Sequence, residues 1–69
     1  MRLTVEYEVE DDGRWVAEVP QLPGVIAYGT APADAIAKAQ ALAFRVLAER
    51  LESNESAPFS ISIEIPQSA

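Results

Sequence analysis

The sequence predicts a small α+β domain with the element order β-β-β-α-β. Two runs of alternating apolar and polar residues lie near the N-terminus, and a third lies near the C-terminus. Between them, apolar residues recur every three or four positions. Alternation is typical of half-buried strands, and the longer spacing is typical of an amphipathic helix. With 69 residues, the chain fits a single domain over residues 1–69, whose thin core would gain from self-association.

The first two strands are predicted over residues 2–10 and 14–19, joined as a hairpin. Asp11-Asp12-Gly13 between them is a turn signal, because glycine accepts a positive φ. The residues expected to face the core from this hairpin are Leu3, Val5, Tyr7, Val9, Trp15, Ala17 and Val19. Tyr7 and Trp15 are therefore interpreted as core aromatics.

A rigid corner is predicted at Pro20-Gln21-Leu22-Pro23-Gly24, because its two prolines fix φ and remove two donors of a strand ladder. Residues 25–29 then form the third strand. If the first residue of this strand faces the helix, Ile26 and Tyr28 lie on the opposite face of the sheet. The alternative is a flipped strand that buries both side chains.

A helix is predicted from Ala31 to about Leu51, with Thr30 as its N-cap and Asp34 near its positive end. Its core-facing residues are expected to be Ile36, Ala39, Ala43, Val46, Leu47 and Leu51. The several alanines predict a close approach to the sheet. Leu42 and Phe44 fall at the margins of the apolar stripe.

Residues 53–58 are predicted to form a loop, and residues 59–65 a fourth strand that Pro66 ends. Its apolar side would be Phe59, Ile61, Ile63 and Ile65. A right-handed crossover lays this strand beside the first strand and parallel to it. The predicted sheet order is 3-2-1-4, with the helix on one face.

The other face of this sheet is predicted to be an interface with a second subunit or another protein. An apolar patch on it is expected to lie beside a field of carboxylates, an arrangement that often marks a binding surface. The predicted interface residues are Val16, Ile26, Tyr28, Glu6, Glu8 and Glu18.

The composition excludes several classes of chemistry. Cysteine and histidine are absent, which removes disulfides, the usual zinc sites and histidine-based catalytic triads. The net charge of −6 disfavours nucleic acids and anionic membranes and favours basic partners; the alternative is that acidity only keeps the domain soluble. Neither a signal peptide nor a membrane span is recognisable, so a cytoplasmic location is expected.

Carboxylates are the remaining candidate catalytic groups. Glu6 and Glu64 would be cross-strand neighbours in the predicted sheet and could hold Mg²⁺, which defines a residual nuclease as one hypothesis. No further ligand obviously converges on them, and Asp11-Asp12-Gly13 lacks the other oxygens of a calcium loop. We therefore expect neither an enzyme nor a bound cofactor.

Residues 10–25 resemble the signature of HicB-type antitoxins: an acidic turn with glycine, an aromatic residue, a short strand and the Pro-x-Leu-Pro-Gly corner. Gly29, Thr30 and the following helix with Ala35 continue the resemblance, which covers residues 3–52. It implies a truncated ribonuclease-H-like fold without nuclease activity. It also implies homodimers or homotetramers, and neutralisation of a small basic HicA toxin that cleaves mRNA with a catalytic histidine.

Many members of that family also carry a C-terminal segment that binds operator DNA. After the fourth strand only Gln67-Ser68-Ala69 follow, so we expect no direct DNA binding from this chain. A second hypothesis is an orphan scaffold protein that assembles with itself and lacks a toxin.

Overall fold

The computed structural model describes residues 1–53 and 57–66 as a small α+β fold. The elements are β1 (Arg2–Thr4), β2 (Glu6–Val9), β3 (Trp15–Glu18), β4 (Ile26–Gly29), α1 (Pro32–Glu52) and β5 (Ser62–Glu64). Strands β2, β3 and β4 form an antiparallel sheet in that order, and β1 pairs with β5 in parallel. Residues 54–56 of the predicted loop and the C-terminal residues 67–69 lie outside the described residues.

The predicted first strand is two strands, because the chain changes its partner at Val5. The N–H of Val5 still donates to the carbonyl oxygen of Glu64, at 2.9 Å. From Glu6 onward the chain pairs with β3 instead. The expected parallel pairing of the first and last strands is confirmed, but the strands predicted as one sheet of order 3-2-1-4 are divided between two sheets.

The predicted hairpin turn joins β2 to β3. The N–H of Glu10 donates to the carbonyl of Arg14 at 2.7 Å, and Gly13 has a φ of 88°, a region that glycine enters without steric cost. Asp12 accepts hydrogen bonds from the backbone N–H of Arg14 at 3.0 Å and from its Nε at 2.8 Å. The backbone hydrogen bond, together with the charge of Arg14, holds the pKa of Asp12 below 3.8.

Backbone hydrogen bonds within residues 19–25 hold the proline-rich corner. Val19 donates to Val25 at 3.0 Å, Leu22 donates to Val19 at 2.9 Å, and Val25 donates to Leu22 at 3.0 Å. Gly24 has a φ of 89°, which explains why glycine stands there. The turn directs Leu22 inward, where its side chain is 2% exposed. The corner is therefore part of the core as well as a connection.

The core lies between α1 and the three-stranded sheet. The buried residues are Leu3, Val5, Ala17, Val19, Leu22, Val25, Ala35, Ala39, Ala43 and Leu47. Tyr7 and Trp15 pack against them half-buried, with ring centroids 6.4 Å apart, in the range of favourable aromatic pairs. The predicted packing of Tyr7 and Trp15 against the core is thus confirmed.

Four residues predicted for the core are exposed: Val9, Leu51, Ile61 and Ile65. For Ile61 and Ile65 the reason is that the backbone of α1 lies against β2, β3 and β4 and not against β5. Val9 is the last residue of β2, and Leu51 lies near the end of α1. Alternation therefore gives the residues of the last strand a common face that the core covers only in part. Phe59 and Ile63 still reach the core from this end of the chain.

The helix begins at Pro32, one residue later than predicted. Ala31 is the N-cap and makes no side-chain capping bond, with Pro32 following it, so the assignment of Thr30 as N-cap is wrong. Proline favours the first helical position because its ring fixes φ there and no donor is lost. Asp34 accepts from the backbone N–H of Thr30 at 3.3 Å and from Lys38 Nζ at 3.2 Å.

Gly29 marks the closest approach of β4 to the helix. A Cβ on this buried glycine would lie 2.6 Å from the backbone nitrogen of Ala35 and 2.6 Å from Asp34 Oδ2. The Asp34 carboxylate can rotate aside, but the backbone nitrogen of Ala35 cannot be avoided without moving the helix. The predicted close approach of an alanine-rich helix therefore depends on glycine at this position.

We expect Gly29→Ala to lower the free energy of unfolding by about 1–3 kcal/mol, the usual cost of overpacking a core. Urea denaturation followed by circular dichroism measures the change. Thr30→Ala is the control: it alters an exposed neighbour and keeps the backbone N–H that Asp34 accepts, so a change within about 0.5 kcal/mol is expected. Wild-type stability of Gly29→Ala would contradict the close approach.

Candidate functional site

The face of the three-stranded sheet opposite α1 carries the predicted interface residues in two adjacent rows. The rows across β2, β3 and β4 are Glu6–Glu18–Ile26 and Glu8–Val16–Tyr28. Residues at alternate positions share a face of a sheet, so all six side chains lie on the same side. Ile26 is 45% and Tyr28 42% exposed, whereas Val25 is buried. The flipped third strand is therefore excluded, while the interface role of this face stays a prediction.

The acidic side of this face is not neutralised from within the described chain. Glu6 lies directly opposite Glu18, and like charges at that cross-strand position repel. The ion pairs among the described residues join Arg2 to Glu64, Arg14 to Asp12 and Lys38 to Asp34. Since none of them reaches Glu6, Glu8 or Glu18, these carboxylates are open to a cationic group from outside.

A shallow cavity of about 210 Å³ lies among these acids, lined by Glu6, Tyr7, Glu8, Val16 and Glu18. Sites for small molecules and cofactors usually exceed roughly 300 Å³. The cavity is therefore better matched to a single protruding side chain than to a bound cofactor, and its carboxylates favour a lysine or an arginine.

On the same face, the exposed side chains of β4, Ile26 and Tyr28, are apolar or aromatic. The guanidinium carbon of Arg14 lies 4.8 Å from the centroid of the Tyr28 ring, a cation–π geometry. Lys38 Nζ lies 3.4 Å from the backbone oxygen of Tyr28. Neither contact with Tyr28 is predicted from the sequence. The available signal was the position of Arg14 between the turn and β3, because it comes directly before the strand that pairs with β4.

The Glu6–Glu64 pair of the nuclease hypothesis does not form. Glu64 is the register partner of Thr4, and its Oε1 lies 3.3 Å from Arg2 Nε. Glu6 belongs to the other sheet, because the chain changes partner at Val5. Within residues 1–53 and 57–66, no group of three or more acidic, histidine or cysteine side chains is arranged to hold a metal ion.

In the described part of the chain, no helix is both long and apolar enough to cross a membrane.

Comparisons of the chain with protein-family models, curated proteins and solved structures found no match. Within the described residues, fold and site together define a small α+β protein whose three-stranded sheet has a face that α1 does not cover, acidic at Glu6, Glu8 and Glu18 and apolar along β4.

Proposed function

We propose that this chain is an antitoxin of the HicB type, which neutralises a small basic mRNA-cleaving toxin in the cytoplasm by binding it. The observation that carries the proposal is the uncompensated acidic group of Glu6, Glu8 and Glu18 on an uncovered sheet face. Opposite potentials accelerate encounter with a basic partner and disfavour wrong ones. In this proposal the chain binds without catalysis or direct contact with DNA.

The finer fold assignment belongs to the same proposal. If β1 and β2 are counted as one bent strand, the chain has the order β-β-β-α-β with its last strand parallel to its first. The order β4-β3-β2/β1-β5 then corresponds to the 3-2-1-4 arrangement of a truncated ribonuclease-H-like fold. The buried Leu22 and the positive φ of Gly24 give the Pro-x-Leu-Pro-Gly resemblance a structural basis.

The test is affinity purification of the tagged full chain from its native host, with mass spectrometry of the co-eluting proteins. We expect a small basic protein that contains histidine. Expressed alone, that protein should stop growth and degrade mRNA, and co-expression of the chain should restore growth. If no such protein forms a complex at micromolar concentration, or if growth is not restored, the antitoxin proposal fails.

The orphan scaffold remains a second candidate, favoured by the exposed apolar side chains of Ile26 and Tyr28. It predicts that the purified chain assembles with itself and that no basic protein co-elutes. The two functions are distinguished by what co-elutes rather than by self-assembly, because family members of the antitoxin type also assemble.

A further inference from the structure

Strand β2 forms an edge of the three-stranded sheet, because among the described strands it pairs with β3 alone. The N–H of Glu10 donates to the carbonyl of Arg14, which sets the alternation of the β2–β3 ladder. The even-numbered residues of β2 therefore face β3 with their backbone. The backbone N–H groups of Tyr7 and Val9 point the other way, out of the sheet edge.

A proline explains why the last strand stops short of this edge. The β1–β5 ladder ends with the bond from the N–H of Val5 to the carbonyl of Glu64, so the next donor in the parallel pattern would be residue 66. Pro66 has no N–H to donate, and its carbonyl oxygen accepts from the hydroxyl of Tyr7 at 2.8 Å. No described strand therefore continues along Tyr7 and Val9.

The side chains beside this edge determine the charge of a strand that can add to it. Glu6 and Glu8 lie on the face away from α1 and form no ion pair within the described residues. Residues of an added strand would lie directly opposite them, with β-carbons roughly 5 Å apart. A second copy of β2 would set glutamate against glutamate, the kind of repulsion that protects natural edges. Lysine or arginine at alternate positions would instead meet a carboxylate each time.

We propose that β2 accepts an extended basic segment of a partner protein as an added antiparallel strand. The partner residue opposite Tyr7 exchanges backbone hydrogen bonds with it, and the basic residues on either side lie opposite Glu6 and Glu8, at the closely spaced positions of the ladder. In strand addition, main-chain bonds give affinity and alternate side chains give specificity. The cavity of about 210 Å³ that Tyr7 and these acids line lies beside the added strand. Assigning the segment to the toxin rests on the proposed function.

Nuclear magnetic resonance of the isotope-labelled full chain tests the pairing, with the synthetic peptide acetyl-Thr-Lys-Val-Lys-Val-Lys-Thr-amide as the probe. At low salt, the amide resonances of Tyr7 and Val9 are expected to shift. N-methylation of the two valine amides, which face β2 in this register, should weaken binding by about tenfold or more, because backbone hydrogen bonds are lost. N-methylation of two lysine amides, which point away from β2, is the matched control and should change binding little.

A substitution in the chain tests the same edge from the other side. Val9→Pro removes an outward N–H, and proline is tolerated on an edge strand whose N–H faces solvent. We expect this variant to bind the peptide roughly 2- to 10-fold more weakly than Val9→Ala, which keeps the N–H. Circular dichroism checks that both variants fold, and the peptide arms on the wild type stand without them.

The proposal is overturned if the peptide does not shift Tyr7 and Val9, or if methylation at the valines is no more damaging than methylation at the lysines. It also fails if a peptide with glutamate in place of lysine binds equally well, since charge then has no part in the choice of strand. No toxin is present in these experiments, so strand addition can fail while the antitoxin proposal holds, and the reverse.

Discussion

Replacing Leu22 by alanine is expected to reduce the free energy of unfolding by about 2–5 kcal/mol, the range for large-to-small substitutions in cores. The side chain is 2% exposed and belongs to the core cluster. A domain of 69 residues is expected to have roughly 3–10 kcal/mol of stability in total. Leu22→Ala should therefore leave a large fraction of the chain unfolded at physiological temperature.

Urea denaturation monitored by far-ultraviolet circular dichroism measures this effect. The matched control is Leu51→Ala, which removes the same atoms from a leucine that is 40% exposed near the end of α1. We expect it to cost less than about 1 kcal/mol, because much less apolar surface is lost from the interior. Equal losses in the two variants would show that the corner does not anchor the core.

The corner also connects the two sheets, which adds to the expected effect of Leu22→Ala. The side-chain oxygen Oε1 of Gln21 accepts a hydrogen bond from the backbone N–H of Thr4 in β1, at 3.2 Å. The adjacent Leu22 packs into the core under β3 and β4. The corner therefore has a structural role, because it supplies a buried leucine and a hydrogen bond between the two sheets. The carboxylates of Glu6, Glu8 and Glu18, in contrast, form no ion pair within the described residues.

The sequence predicts which residues share a face better than which strands are neighbours. Alternation runs unbroken through Val5, so it cannot reveal that the chain leaves one partner strand and joins another there. The same limit explains Ile61 and Ile65: the pattern places them on one face, but whether a helix covers that face depends on packing. The helix bounds agree within a residue at each end because Pro32 and the change of period are local signals.

The candidate site follows partly from local pattern and partly from tertiary geometry. The corner fixes the phase of β4, because the buried Val25 comes directly before Ile26; this is why both exposed residues of β4 were predictable as a pair. The repulsive position of Glu6 opposite Glu18 was not, since it depends on the register of the hairpin. The contact of Arg14 with Tyr28 depends on the same register, through β3 and β4.

Substituting glutamine at Glu6, Glu8 and Glu18 together is expected to change stability and binding in opposite directions. The chain alone should become more stable, by roughly 0.2–1 kcal/mol, because the cross-strand repulsion between Glu6 and Glu18 disappears. Association with the basic toxin recovered by affinity purification should become slower, by about 10- to 1000-fold at low salt.

Stopped-flow association kinetics and urea denaturation measure the two effects on the same protein. The control removes an equal number of charges elsewhere, as Asp11→Asn with Glu49→Gln and Glu52→Gln, all exposed and away from the acidic rows. At about 1 M salt, where the Debye length is roughly 3 Å, the association rates of both variants should approach the wild-type rate. If both variants slow association equally at low salt, net charge alone attracts the partner. If only the first does, the toxin docks on the rows of Glu6, Glu8 and Glu18.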